Sequence, residues 1–507
     1  MTNDEAMYAW KAKRLAADPS LVGDSESWRR HPPAVPAVAA VLARTLPLDD
    51  ALALATQLAL VASLAAAAWL GGRLAGGVAA VAAPCLLALD DTVRCFANHF
   101  LLDLPLVVLQ LGAAALFTLP GRRRLLAWPV ALVAPLVKSY GVLLPLTLLV
   151  CTVYERLGRR ARIALWLAGA AAVAGLLVVG QLGLVQERWY WLAPQDPLAT
   201  AGRKLYGIIE SFQWLWPDAR GRALTLLLVP ILAAAAWLLR GLPERPRTLL
   251  LFLILVPLAA IAVTRIVERR TLLLVLAPLD VALASALALA LERIGTPRLR
   301  RAAAAGALAL GLLALARTER TRAPSYPCLY AGQWESARWL ATHVEGRSDR
   351  VFSSSTHQHR LYGGLEFEHM GGPLYGENEW TGIPSPYEEF AREVARSRGV
   401  SWLALGWNQD TMGRWLHYDA ETAARLRALG FAPAAAFYLP WTPDCEPATP
   451  EAAAREDAFY RTLGYARVRP AQAGSPQQEG REYLAAFVLA RIPAGAAALP
   501  PSATPDP

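Results

Sequence analysis

The chain has few of the residues and none of the motifs that announce soluble-enzyme chemistry. Its five cysteines form no CxxC pair, which argues against a zinc ribbon or a thioredoxin-like redox centre. No HExxH helix, GxxxxGK[ST] loop or GxSxG element stands in a fitting context, so zinc-protease, P-loop and serine-hydrolase chemistry are not signalled. Charged residues make up 18% of the chain and almost vanish from long stretches between positions 51 and 316. A soluble domain does not tolerate that pattern.

What fills those stretches is aliphatic. The chain of 507 residues is 55% hydrophobic, with a mean hydropathy of +0.30. Ala51 to Leu70, Phe100 to Leu119, Ile163 to Val185, Ala223 to Leu239, Thr248 to Thr264 and Thr271 to Leu291 each approach the ~20 apolar residues that cross a bilayer. Leu74 to Leu89, Leu125 to Val137, Gly141 to Val153 and Ala302 to Ala316 are shorter. Together they predict about ten spans.

Arginine and lysine collect in alternate loops: at Arg73, Gly121 to Arg124, Glu155 to Arg162, Arg240 to Arg247 and Glu292 to Arg301. By the positive-inside rule these loops are cytoplasmic. Residues 1–48, Asp90 to His99, Lys138 to Tyr140, Gln186 to Arg222, Arg265 to Arg270 and everything after Arg317 then lie outside. The net charge of +9 follows from this topology, and no nucleic-acid partner is expected. Arg265-Ile-Val-Glu-Arg-Arg270 breaks the rule by placing three arginines outside. They either snorkel to headgroups or hold an anionic group. No apolar stretch precedes residues 1–48, and an upstream span is expected.

The expected organisation is an outer juxtamembrane loop (1–48), a transmembrane bundle (49–317), an extracytoplasmic α/β domain (318–493) and a disordered tail (494–507). In the domain, Trp334 to His343, Tyr387 to Arg398 and Ala420 to Leu429 read as helices, and Arg350 to Ser354 and Val400 to Leu405 as strands. Cys328 and Cys445 share that compartment, where a disulfide is allowed and not established by spacing. His357, His359, Glu366, Glu368 and His369 match no standard metal spacing and read as a solvated loop. Trp189-Tyr190-Trp191, Trp214 and Trp216 read as an interfacial belt, with a sugar or polyprenyl platform as the alternative.

One group of residues carries a family likeness. Asn3-Asp4-Glu5-Ala6-Met7-Tyr8-Ala9 leads to Trp28-Arg29-Arg30-His31-Pro32-Pro33; Phe100-Leu-Leu-Asp103-Leu-Pro105 follows; then Lys138 with Gly141; then Glu268-Arg269-Arg270 with Leu276-Ala-Pro278. This set resembles the GT-C glycosyltransferases related to protein O-mannosyltransferases and lipid A aminoarabinose transferases, over Asp4 to about Leu291. In that family an Asp-Glu pair opens a juxtamembrane helix and a His-Pro-Pro or Lys-Pro-Pro element precedes the next span. The chain departs from it in lacking a span before Asp4, and in having Asn98 or His99 where many members carry Arg.

The resemblance implies a helical GT-C-like bundle in a bacterial or archaeal cytoplasmic membrane. It implies transfer of a sugar from a polyprenyl-phosphate donor, by inverting displacement, to an extracytoplasmic protein, lipid or glycan. An inverting transferase needs a carboxylate to take the acceptor proton and cations aimed at the leaving phosphate. Asp4 is the candidate base, with Glu5 beside it. His31, Lys138, Arg269 and Arg270 are candidates for the phosphate. Asp103 is a candidate for orienting the acceptor, and Glu5 with Asp103 for a divalent metal. For Asp103, a carboxylate capping a span at the interface is the plain alternative. The competing class is a non-catalytic transporter or flippase of lipid-linked saccharides.

Overall fold

The structure is a computed structural model; it describes residues 3–23, 32–90, 92–93, 97, 99–181, 221–262, 269–318, 333–344, 350–353, 361, 363, 400–406, 430–440, 467–468 and 482–491. Two compact units make up the chain: Lys11–Arg322, and Met1–Trp10 together with Ala323–Pro507.

The sequence opens on α1 (Asn3–Ala17), whose Ala6, Tyr8, Ala9, Ala12 and Leu15 are buried. In the larger unit follow α2 (Ala34–Leu42), α3 (Leu48–Leu89), α4 (Asp103–Phe117), α5 (Ala127–Val137), α6 (Leu143–Arg156), α7 (Arg159–Gln181), α8 (Gly221–Leu238), α9 (Glu244–Ala262), α10 (Leu273–Ile294) and α11 (Pro297–Thr318). A straight helix of 42 residues would be about 63 Å long, twice the hydrocarbon core. α3 instead folds back on itself. Ala75 leaves the helical region and Gly76 takes φ 77°, a conformation that suits glycine. A Cβ on Gly71 would sit 2.6 Å from the carbonyl oxygen of Ala79, so the two arms pack backbone to backbone. The expected pair of spans on either side of Arg73 is this hairpin.

Helices thus occupy all the apolar stretches read from the sequence. Only α3 and α10, among the described residues, are long and apolar enough to cross a membrane. α7, α9 and α11, with 23, 19 and 22 residues, also have the length expected of spans. α4, α5 and α6 have 15, 11 and 14 residues, because prolines and 3-10 turns at Gly121–Leu126 and Ser139–Val142 cut the helical ladder short.

α10 packs on α3, α4, α8 and α9, and its small residues Ala277, Ala282, Ala284, Ser285 and Ala286 are buried. The outer faces of the bundle are apolar: Leu132, Val133 and Leu136 on α5, Leu146, Leu149 and Val153 on α6, and Leu308, Leu310, Leu312 and Leu313 on α11 are exposed. Contiguous aliphatic surface of this kind is at home in lipid.

In the smaller unit α12 (Gln333–His343) and strands β1 (Arg350–Ser353), β2 (Val400–Gly406), β3 (Phe431–Pro440), β4 (Arg467–Val468) and β5 (Glu482–Arg491) form a sheet of order β1-β2-β5-β3-β4. β5 runs antiparallel to both β2 and β3; β1 is parallel to β2, and β4 to β3. Phe431, Ala435, Phe437, Leu403 and Val488 are buried. α12 lies against β5 and sends the Trp339 ring edge-on to Trp402 and Phe437. The helix at 333–343 and the strands at 350 and 400 agree with the sequence reading. β3 and β5 were not anticipated, and the expected helices at 387–398 and 420–429 lie outside the described residues.

Candidate functional site

Two ends of the bundle differ in chemistry. At one end the basic loops meet. Arg73 Nη2 donates to the Thr118 carbonyl at 3.4 Å, Arg124 pairs with Glu155 at 3.3 Å, and Arg245 reaches the other Glu155 oxygen at 2.8 Å. Arg162 pairs with Glu244, and the Arg293 guanidinium lies 4.6 Å from the Trp237 ring centroid. Loops that the sequence puts on one side of a membrane are therefore at one end of the bundle.

Along the helices, Asp90, Asp103, Lys138 and the Arg269–Leu272 turn fall at the opposite end. There the Lys138 ammonium lies 2.6 Å from Asp103 Oδ1, with side-chain exposures of 13% and 6%. Asp103 stands in the first turn of α4, where the helix dipole favours a carboxylate. Lys138 caps the C-terminus of α5 in extended conformation, and the turn Ser139–Val142 carries the chain straight into α6. Gly141 makes that turn fit: a Cβ there would overlap the Ala134 carbonyl. The Lys138 ammonium also lies 5.8 Å from the Tyr140 ring centroid. Asp103 Oδ2 is buried and has no hydrogen-bond partner among the described residues, so its acceptor capacity is unused there.

One turn and two turns along the same face of α4 come Leu106 and Gln110. They line a small cavity with Tyr140, Gly141, Thr147 and Pro257.

Two further acids were missed by the sequence reading. Asp90 ends α3 and Asp280 sits within α10, each 1% exposed, and the Asp90 charge acts on Asp280. Asp90 Oδ1 accepts from the amide of Thr92 at 2.7 Å, while Asp280 Oδ2 has no hydrogen-bond partner among the described residues. The signal was present, since a lone acid in an otherwise uncharged span is by default a functional residue.

Of the candidate residues, the structure brings Asp103 and Lys138 together. Asp4 and Glu5 lie in the first turn of α1; Glu5 is 4% exposed, and the Asp4 side chain is outside the described residues. Arg269 and Arg270 open the 3-10 turn before α10, with side chains likewise outside them. His31, Arg265, the aromatic loop at 189–216, Cys328, Cys445 and the histidine cluster at 357–369 also lie outside. For a divalent metal, Asp103 has one oxygen committed to an ammonium, and among the described residues no three His, Cys, Asp or Glu side chains assemble. No step below is routed through a metal.

No sequence-family model matches the chain, and no curated protein matches it by sequence. Solved structures do match. ArnT from Cupriavidus metallidurans bound to undecaprenyl phosphate is 15% identical, with 82% of this chain and 90% of that chain covered at a TM-score of 0.50. The apo state of the same protein is 14% identical, with 82% and 89% covered at 0.51. A weaker likeness, at 0.45 and 13% identity, covers 87% of this chain and 69% of an archaeal oligosaccharyltransferase, AglB from Archaeoglobus fulgidus, in complex with an inhibitory peptide and a dolichol-phosphate. The resemblance read from scattered motifs is thus met by the architecture: the fold is that of the GT-C membrane glycosyltransferases.

Proposed function

We propose that this chain is a membrane glycosyltransferase that moves a sugar from a polyprenyl-phosphate carrier to an acceptor on the extracytoplasmic side. The observation that carries the reading is the buried Asp103–Lys138 pair, at the end of an ArnT-like bundle opposite the basic loops. The undecaprenyl phosphate bound to ArnT supports a lipid phosphate as the ligand here. The positive-inside rule, applied to the basic loops, supports an outer-surface position for the pair.

In this reading the acceptor oxygen attacks the anomeric carbon while the bond to the phosphate oxygen breaks and its electron pair leaves with the lipid phosphate. Asp4 takes the acceptor proton. Lys138, with Arg269, Arg270 and His31 as the other candidate cations, stabilises the phosphate, whose charge grows as the bond breaks. The 2.6 Å contact with Asp103 fixes the position of the Lys138 ammonium; Asp103 Oδ2 accepts a hydrogen bond from the acceptor. Displacement from the face opposite the leaving group inverts the anomeric centre.

The test is transfer of radiolabelled sugar from polyprenyl-phosphate donors in proteoliposomes. Transfer by the wild type, lost in Lys138→Met, supports the reading. Movement of a lipid-linked saccharide across the membrane without transfer, unaffected by Lys138→Met, would replace it with a transport function.

A further inference from the structure

Pro278 removes a backbone donor from α10. In a regular helix the amide of residue 278 bonds the carbonyl of residue 274, and proline has no amide hydrogen to give. A buried carbonyl left alone is costly. The Leu274 carbonyl is not left alone: Gln110 Nε2, from α4, donates to it at 2.8 Å. Gln110 is 3% exposed. Because the amide end must face the carbonyl, the orientation of the side chain is set.

The position of this bond matters. Leu274 is in the first turn of α10, directly after the Arg269–Leu272 turn. Proline leaves that first turn tied to the rest of α10 by one backbone bond fewer, a common origin of kinks. Gln110 replaces the missing bond with one to a different helix, and that helix carries Asp103 seven positions earlier, on the same face.

We propose that Gln110 is a positioning residue: by supplying the donor that Pro278 withholds, it pins the start of α10, and the Arg269–Arg270 turn before it, to the helix that holds the Asp103–Lys138 pair. The two halves of the phosphate-binding surface are thereby kept in register. The positioning role rests on the lipid-phosphate reading above; the pin itself does not.

A double-substitution cycle separates the two. Gln110→Leu removes the donor and strands the Leu274 carbonyl, whereas Pro278→Ala restores the helix's own amide to it. In the full-length protein in detergent, Gln110→Leu should lower the thermal midpoint and weaken binding of undecaprenyl phosphate about tenfold. In the Pro278→Ala background the same change should have little effect on either. An equal loss in both backgrounds overturns the pin. A lowered midpoint with wild-type affinity for undecaprenyl phosphate overturns the positioning role and leaves packing alone. Where Gln110→Leu does not fold, Gln110→Met, closer in shape, takes its place in the cycle. Failure of the wild type to bind undecaprenyl phosphate would sink the lipid-phosphate reading and the positioning role with it, while the midpoints would still decide the pin.

Discussion

Gly141 stands so close to Ala134 that a side chain on it would overlap the Ala134 carbonyl. The same carbonyl accepts the Lys138 amide at 3.2 Å, and the Lys138 carbonyl accepts the Gly141 amide at 2.7 Å. These contacts close the turn that aims Lys138 at Asp103. Gly141→Ala must push the turn off α5, because neither backbone can yield cheaply. A loss of about 1 to 3 kcal/mol is expected, together with a fall in transfer activity larger than for Gly112→Ala, whose Cβ meets nothing within 4 Å. Equal activities for the two variants would mean that the tight turn does not set the Lys138 position.

The Asp103–Lys138 pair gives a second test. Removing one partner of a buried pair strands a charge, at a cost of about 3 to 5 kcal/mol, whereas replacing both by apolar residues is often neutral. Lys138→Met and Asp103→Leu should each lower the thermal midpoint sharply, and the double variant should recover it. Transfer should be lost in all of them, since the charge is needed at the phosphate. A double variant that regains activity along with stability would reduce the pair to a structural element.

How much of this was legible beforehand depends on the range of each interaction. Helical stretches, the hairpin around Arg73 and the one-sided basic loops are local or compositional, and the sequence showed them. Asp103 and Lys138 were each singled out by neighbours such as Pro105 and Gly141, but their contact joins residues 35 positions apart. Nothing in the local pattern of either residue encodes that contact. Gln110 lay in an apolar span with no motif, and its partner is 164 positions away. Asp280 was visible as a lone acid in an uncharged stretch, but nothing near it in sequence pointed to Asp90. In the smaller unit, β3 was obscured because Phe431-Ala-Pro-Ala-Ala-Ala-Phe437 is alanine-rich and contains a proline, a composition that is poor in strand formers.

Asp280 invites a prediction of its own. A buried carboxylate with another carboxylate for a neighbour and an unpaired oxygen adds nothing to stability unless a cation or proton compensates it. Asp280→Leu should therefore keep or raise the thermal midpoint. Retained stability with lost transfer would mark Asp280 as functional. A marked fall in midpoint would show that an unrecognised partner compensates the acid.

Stability of the smaller unit should depend on pH through Glu335. Burial pushes its carboxyl above the usual carboxylate range, so in the interval between its unfolded and folded pKa values the folded state holds more protons. Stability then falls as pH rises through that interval, starting from about 4.5, and is greater below it. Hydrogen-exchange protection of residues 333–343 in the full-length protein, corrected for intrinsic exchange, should decline from pH 4.5 upward. Glu335→Gln should flatten the decline. An unchanged slope in that variant would assign the dependence to another group.

The chemistry itself is tested at α1. Asp4→Asn keeps the size and hydrogen-bonding shape of the side chain and removes its ability to take a proton, so turnover should fall by about 10² to 10⁴. Binding of undecaprenyl phosphate should change little, since the base acts on the acceptor. Arg269→Ala and Arg270→Ala should do the reverse and weaken that binding by roughly 1.5 to 3 kcal/mol through loss of a charge-assisted contact. Separation of the variants into turnover and binding classes is what an inverting displacement with a distinct base and phosphate clamp requires. If Asp4→Asn turns over like the wild type, Asp4 leaves the mechanism, and Glu5 and Asp103 become the carboxylates to substitute next. If instead Asp4→Asn and Arg270→Ala both lose binding, α1 and the turn before α10 serve one ligand. The base must then be sought elsewhere.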